Sequence, residues 1–328
     1  MISFKYMNVR NYFLYFGMLS TLAQYTFCHT DQIEVFKKKF NGISIFYRDP
    51  HPALTASVLR GLSKLNITYN INPGSSHTIY DVALCLQDAN LLRQAIKFKE
   101  KQLVKKVVVG PNMFARTYEE NHLMANKTID GYLVPSEWTR IACIQDEPPV
   151  ERIIHVWPAG VDSDYWAPQN LDRKNTKKVL IYWKTEPQSF CDRVKKILIE
   201  YGWEPVTIKY GSYNQDQYKN VLNQVKFAVF ISQSESQGLA LAECWSMNIP
   251  TLVWDPKRLF YLGKHYDPVT ACPYLTSNTG ARWKEFNELE GLLKNLASSW
   301  KQFCPREWVL NNMTDEVSAD LLLKIINE

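Results

Sequence analysis

Phe227-Ala-Val-Phe-Ile-Ser-Gln-Ser-Glu-Ser-Gln-Gly-Leu-Ala-Leu-Ala-Glu243 is the stretch from which the fold of this chain reads most directly. Its first five residues are an unbroken apolar run rich in aromatic and β-branched side chains, the pattern of a strand covered on both faces. A polar loop follows from Ser232 to Gln237, and Gly238 opens an apolar helix from Leu239 to Met247. Asn248-Ile-Pro250 ends that helix before another strand, Thr251-Leu-Val-Trp254. Strand, loop, helix and strand in this order make a βαβ unit, which belongs in a parallel sheet.

The same alternation extends upstream. Strands are expected at Ile43 to Tyr47, Ile67 to Ile71, Asp81 to Leu86, Lys106 to Gly110, Gly131 to Val134 and Arg152 to Val156. Helices fall between them at Ala53 to Leu65, at Leu91 to Lys101, and from Ser136, a good N-cap, to about Gln145. Residues 164–177 are polar and aperiodic and read as a linker. The alternation then restarts with strands at Val179 to Tyr182 and Pro205 to Lys209 and helices at Ser189 to Tyr201 and Gln215 to Gln224. Two helical stretches, Trp283 to Trp300 and Trp308 to Ile326, close the chain, and the last is placed to return onto the first half. At 328 residues the chain exceeds the usual size of one core. The expected organisation is an α/β chain of two Rossmann-like domains, residues 31–163 and 178–328, facing a cleft.

Composition narrows the function classes. Apolar residues make up 46% and charged residues 22% of the chain, which suggests neither wholesale disorder nor a polytopic membrane protein. The net charge of +5 is spread over short lysine patches, so no nucleic-acid stripe is expected. A basic balance suits substrates that carry phosphates, or an anionic lipid surface, and solvated surface lysines account for it more simply still. Seven cysteines, odd in number and without a C-x-x-C pair, form neither a disulfide framework nor a zinc site by spacing. Cys85, within an apolar run, reads as a small buried hydrophobe in a reducing compartment. Residues 1–30 carry Lys5 and Arg10 ahead of an apolar stretch from Tyr12 to Cys28. That segment reads as a signal peptide, a short anchor, or residues preceding a true start at Met7 or Met18. Cytoplasmic location, with membrane association through this segment, reconciles these alternatives.

In doubly wound sheets ligands sit outside the carboxyl ends of the strands, which directs attention to the loop after Ile231. Gly238 and the helix it opens offer backbone amides and the positive end of a dipole to an anion. Glu235 lies in the loop and Glu243 more than a turn into the helix. Spacing alone favours an ordinary capped helix with two solvated glutamates.

The segment Glu235-Ser-Gln-Gly-Leu-Ala-Leu-Ala-Glu243, followed by Cys-Trp-Ser-Met-Asn-Ile-Pro-Thr-Leu-Val-Trp254, resembles the E-x7-E region of the family-4-like glycosyltransferases of the GT-B kind. Val134-Pro-Ser-Glu-Trp-Thr-Arg140 is similar to the family's strand-to-helix element, and Pro158-Ala-Gly-Val-Asp162 to its P-N-G-V-D turn. The resemblance implies retaining transfer of a sugar from a nucleoside diphosphate sugar to an acceptor hydroxyl, with no metal and no cofactor beyond that co-substrate. It implies that Glu235 approaches the donor sugar and that Glu243 binds the ribose. The loop amides around Gln237, Gly238 and Leu239 would meet the diphosphate, with Ser236 beside them as a further substrate-binding candidate. Lys184, at the end of Val179 to Trp183, would neutralise the leaving group, and Lys209 is a second candidate for that charge.

Thr279, in the polar turn Thr270 to Gly280, is a candidate to line the cleft. On the acceptor side Arg48 and His51 follow a strand's carboxyl end, where a Pro-rich turn explains them equally well. The chain departs from the family's pattern in three places. Ser236 and Gln237 replace Gly-Phe, Ala159 replaces Asn, and Tyr47-Arg-Asp-Pro-His-Pro52 stands where a Gly-rich loop is usual. The acceptor stays open among glycan, lipid and protein. Asp162-Ser-Asp164 falls in the presumed interdomain turn and reads as structural. A two-lobed solute-binding protein and a catalytically inactive GT-B binding subunit are the alternatives.

Overall fold

Two parallel sheets, each sandwiched by helices, carry the chain. The computed structural model describes residues 31–328 except 49–51, 75–76, 112, 115, 170–175, 262 and 300–301. The N-terminal apolar stretch, His51 and part of the expected linker lie outside the described residues.

The first sheet has six strands in the order β2-β1-β3-β4-β5-β6. They are β1 (Ile43–Tyr47), β2 (Tyr69–Ile71), β3 (Val82–Leu86), β4 (Lys106–Val109), β5 (Gly131–Val134) and β6 (Ile154–Val156). Its helices are α1 (residues 31–39), α2 (Pro52–Lys64), α3 (Ala89–Glu100), the single turn α4 (Glu119–His122) and α5 (Glu137–Asp146). Ser136 caps α5 in a reciprocal arrangement with Thr139.

The second sheet has five strands in the order β13-β10-β9-β7-β8. They are β7 (Lys178–Trp183), β8 (Glu204–Lys209), β9 (Ala228–Ile231), β10 (Thr251–Trp254) and β13 (Gly280–Trp283). Helices α6 (Gln188–Glu200), α7 (Gln215–Leu222), α8 (Leu239–Ser246), α9 (Phe286–Ser299), α10 (Pro305–Asn312) and α11 (Asp315–Asn327) follow in chain order. A small antiparallel hairpin, β11 (Leu259–Tyr261) with β12 (Lys264–Tyr266), projects between β10 and β13.

Side-chain alternation explains why each sheet needs helices on both faces. In β7, Leu180 and Tyr182 enter one core while Val179, Ile181 and Trp183 enter the other. In β1, Ile43 and Ile45 face α2, and Phe46 faces the opposite layer with Leu92 and Ile96 of α3. Each such side chain, fully buried, contributes roughly 1.5–3 kcal/mol.

Two expectations at the C-terminal end are corrected. Trp283 ends the edge strand β13, not the start of a helix, because Gly280-Ala-Arg-Trp283 pairs in register with Thr251 to Trp254. The closing stretch is two helices, broken where Met313 leaves helical geometry and Thr314 caps α11 by accepting the amide of Val317 at 3.3 Å. The break redirects the chain. Ala319, Leu322, Leu323, Ile325 and Ile326 of α11 pack into the core beneath the first sheet, with Val58 and Leu62 of α2. Gly61 makes the approach possible, since a Cβ there would lie 2.4 Å from the carbonyl oxygen of Asp315.

Candidate active site

Strand order sets the position of the site. In the second sheet, β7 has β8 on one side and β9 on the other, so successive connections leave β7 in opposite directions. The crevice at such a switch point is where doubly wound folds take ligands. Lys184 immediately follows β7, and the loop from Ser232 to Gly238 follows β9. The two meet directly: the Lys184 ammonium donates to both carboxylate oxygens of Glu235, at 3.0 and 2.9 Å.

The loop is held from both halves of the chain. The amide of Glu235 donates to the carbonyl of Thr270 at 3.1 Å. Thr270 and Ala271 in turn donate to the buried carboxylate of Asp255 at 2.8 and 2.9 Å. From the first sheet's side, the indole N–H of Trp138 on α5 donates to the carbonyl of Glu235 at 2.9 Å. The Gln237 side chain donates to the carbonyl of Ala159 at 2.6 Å and accepts from its amide at 3.0 Å. Gln237 is therefore occupied with the crossover turn, and only its backbone is left to face a ligand. Ala159 takes part through its main chain alone.

Gly238 stands in the left-handed region, with φ of 81°, and caps α8 without any side chain. The first backbone bond of the helix runs from the amide of Ala242 to the carbonyl of Gly238 at 3.1 Å. The amides of Leu239, Ala240 and Leu241 thus lie ahead of the helical ladder and point, with the positive dipole end, at the crevice.

Beside these amides lies a cavity of about 340 Å³, lined by Tyr182, Lys184, Tyr210, Tyr213, Tyr218, Phe230, Ser236 to Leu241 and Glu243. Burial pushes the carboxyl of Glu243 up to about 8. Burial also raises Tyr182 and Tyr213, whose hydroxyls bond to each other at 2.8 Å, and the charges of Glu235 and Glu243 add to the effect. Lys184 sits over the Tyr210 ring at 4.6 Å. The result is an aromatic-walled cavity with one carboxyl at its floor and one cation and three amides at its rim. The tyrosines escaped sequence reasoning, although Tyr210-Gly-Ser-Tyr213 directly follows the carboxyl end of β8, where a ligand contact was to be sought.

A second, larger cavity of about 740 Å³ shares Lys184, Glu235 and Ser236 with the first. Its other walls come from the loop after β4 (Met113, Phe114, Thr117), from Trp138, Ala142 and Asp146 of α5, and from Leu259, Phe260 and Tyr266 of the hairpin. The Lys184–Glu235 pair is the point at which the two cavities join.

Solved structures share this arrangement of sheets. HepE of Anabaena, described in complex with UDP and glucose, superposes with a TM-score of 0.55 at 12% identity, covering 87% of this chain and 99% of that one. The lipopolysaccharide outer core galactosyltransferase WaaB, in its apo form, gives 0.55 at 11% identity over 87% and 99%. AviGT4, a glycosyltransferase involved in avilamycin A biosynthesis, gives 0.50 at 10% identity over 86% and 96%. The chain has the GT-B fold. No protein-family model matches the sequence, and no curated protein matches it.

Within this GT-B frame the remaining candidates separate. Lys209 lies against the Trp183 ring at 4.6 Å, at the end of β8 rather than in either cavity. Thr279 does not reach the cleft: it is fully buried, its hydroxyl accepts the amide of Thr276 at 2.9 Å and its carbonyl accepts that of Thr251. Arg48 is largely exposed, 3.9 Å from Asp88 across the first sheet's own switch point, and lines a separate depression with Asn72 and Gln94. His51 lies outside the described residues, and Ala53 and Leu54 of α2 line the cavity of about 340 Å³. Asp162 accepts the amides of Asp164 and Tyr165 and faces Arg60, which fixes the crossover turn. Among the described residues no cluster of three His, Cys, Asp or Glu side chains is placed to share a metal ion, and no helix is long and apolar enough to cross a membrane.

Proposed function

We propose that this protein is a glycosyltransferase that uses a nucleoside diphosphate sugar, and that the tyrosine-lined cavity is its donor site. The observation that carries the proposal is the single junction of Lys184 and Glu235 between two cavities, one ending at the free amides of α8 and the carboxyl of Glu243. Glu243 receives the ribose diol, and the amides of Leu239, Ala240 and Leu241 receive the diphosphate. Lys184 turns from Glu235 to the leaving phosphate, neutralising charge as the glycosidic bond breaks. Glu235, released, faces the sugar. The family-4-like E-x7-E reading, hexosyl transfer with retention at the anomeric carbon, and independence of a metal all belong to this proposal. HepE, whose structure is described with UDP and glucose, supports it through a shared fold.

Hydrolysis of a panel of nucleoside diphosphate sugars tests the proposal. At least one donor is expected to turn over, with Lys184→Ala lowering kcat by about 10²-fold or more, the range for removing one group that stabilises the leaving charge. Glu235→Gln is expected to lower turnover as well, while leaving nucleotide binding in place. Thermal stabilisation by free sugars and by no nucleotide would instead support a two-lobed solute-binding protein.

A further inference from the structure

The larger cavity joins a polar lining beside the Lys184–Glu235 pair to a mostly apolar one beyond it. The polar lining is Thr185, Gln233, Ser234 and Ser236, whereas the polar groups farther along the wall are already committed. Asp146, buried on α5, accepts from Arg116 at 2.9 Å and from Lys264 of the hairpin at 2.6 Å. The Trp138 indole is bonded to Glu235, and the Thr139 hydroxyl to the carbonyl of Ser136 at 2.6 Å. Away from the polar stretch the wall is largely apolar: Met113, Phe114, Val134, Ala142, Leu259 and Tyr266. It comes from several separate segments: the loop after β4, strand β5, helix α5 and the hairpin.

The cavity's rim adds a second observation. Phe260 lines the cavity and is still 62% exposed. Lys257 and Arg258, the residues just before the hairpin, are exposed as well, Lys257 while paired with Asp255 at 2.8 Å. An exposed aromatic flanked by cations is the composition that settles at an anionic lipid interface.

Resting on the transferase reading, we propose that the acceptor is a lipid alcohol, with its aliphatic chain in the larger cavity and its hydroxyl beside Lys184 and Glu235. Phe260, Lys257 and Arg258 meet the membrane from which it is drawn. In the transfer, the bond between the anomeric carbon and the diphosphate oxygen breaks and its electron pair leaves with the diphosphate. The acceptor oxygen bonds to the anomeric carbon, and its proton passes to the released phosphate oxygen. The products are the glycosylated lipid and the nucleoside diphosphate.

Calorimetric titration of the full chain with 1,2-dihexanoylglycerol, 2-naphthol and maltose, beside UDP, GDP and ADP, tests this assignment. Dihexanoylglycerol is expected to bind, more tightly than 2-naphthol, with maltose silent. Ala142→Phe, which fills the cavity, and Phe260→Asp, at an exposed position that folding tolerates, each weaken the lipid at least tenfold and leave nucleotide binding unchanged. If a nucleotide binds and the lipid does not, or the lipid binds equally to both variants, the lipid assignment falls and the transferase reading stands. Tighter binding of maltose or 2-naphthol than of the lipid overturns it likewise. If no nucleotide binds, the transferase reading fails and takes the acceptor assignment with it.

Discussion

Glu243 has the most unusual environment in the site, and its consequence is measurable without substrate. Its carboxyl is raised to about 8 from an ordinary value of 4.5 by burial. Between those values the folded protein keeps a proton that the unfolded chain releases, so stability is lost as pH rises through that window. Glu243→Gln removes the effect. The variant is expected to gain on the order of 3–4 kcal/mol over wild type at pH 8 and less than about 0.5 kcal/mol at pH 4.5. Urea unfolding at the two pH values reads the difference, and equal shifts at both would contradict the assignment. At this scale Glu235, Gly238 and Lys184 stand out in the sequence at strand ends and a helix start, and Glu243 through the E-x7-E spacing; the structure gathers all four around one cavity, and their roles belong to the proposal. Thr279 was not legible as what it is, nor was the Gln237 side chain's bond to the crossover turn. A polar side chain in a loop looks the same whether it faces a cleft or bonds a distant backbone, and only the fold brings Ala159 to Gln237.

Elements were easier to read than roles, because strands buried on both faces and helices with capping signals declare themselves locally. Ser136 before Glu137 and Asn214 before Gln215 both cap as their residue types dictate. The failures came where local pattern is weak. β13 is four residues long and stands at an edge, and the hairpin Leu259 to Tyr266 has no strong alternation. The break before α11 was signalled by Thr314-Asp-Glu316, a helix start inside an apolar stretch that otherwise reads as one helix. Its purpose emerges from packing against α2. Gly61→Ala is expected to cost roughly 2–4 kcal/mol, since the added carbon would collide with the Asp315 carbonyl and the Ala319 methyl. Denaturant unfolding measures that loss, and a change below about 0.5 kcal/mol would show that α11 is not seated on α2 as described.

For the whole molecule, the decisive contacts join distant parts of the chain. The Trp157 indole donates to the Ser318 carbonyl at 2.8 Å, Arg60 pairs with the buried Asp315 at 2.6 Å, and Tyr274 bonds the Pro135 carbonyl at 2.6 Å. Such links span up to 255 positions in the chain, so nothing in local spacing announces them. Together with the bonds of Trp138 to Glu235 and of Gln237 to Ala159, which hold the loop before α8 against α5 and the crossover turn, they join the two halves around the Lys184–Glu235 pair. The measurement that tests the proposed function most directly is calorimetric titration of wild type and Glu243→Ala with UDP, GDP, ADP, CDP and dTDP. At least one nucleotide is expected to bind wild type at micromolar Kd and to bind Glu243→Ala at least tenfold more weakly, a loss of about 1.4 kcal/mol or more. Wild type that binds none of them, or binds one as tightly with Ala at position 243, would contradict the donor site.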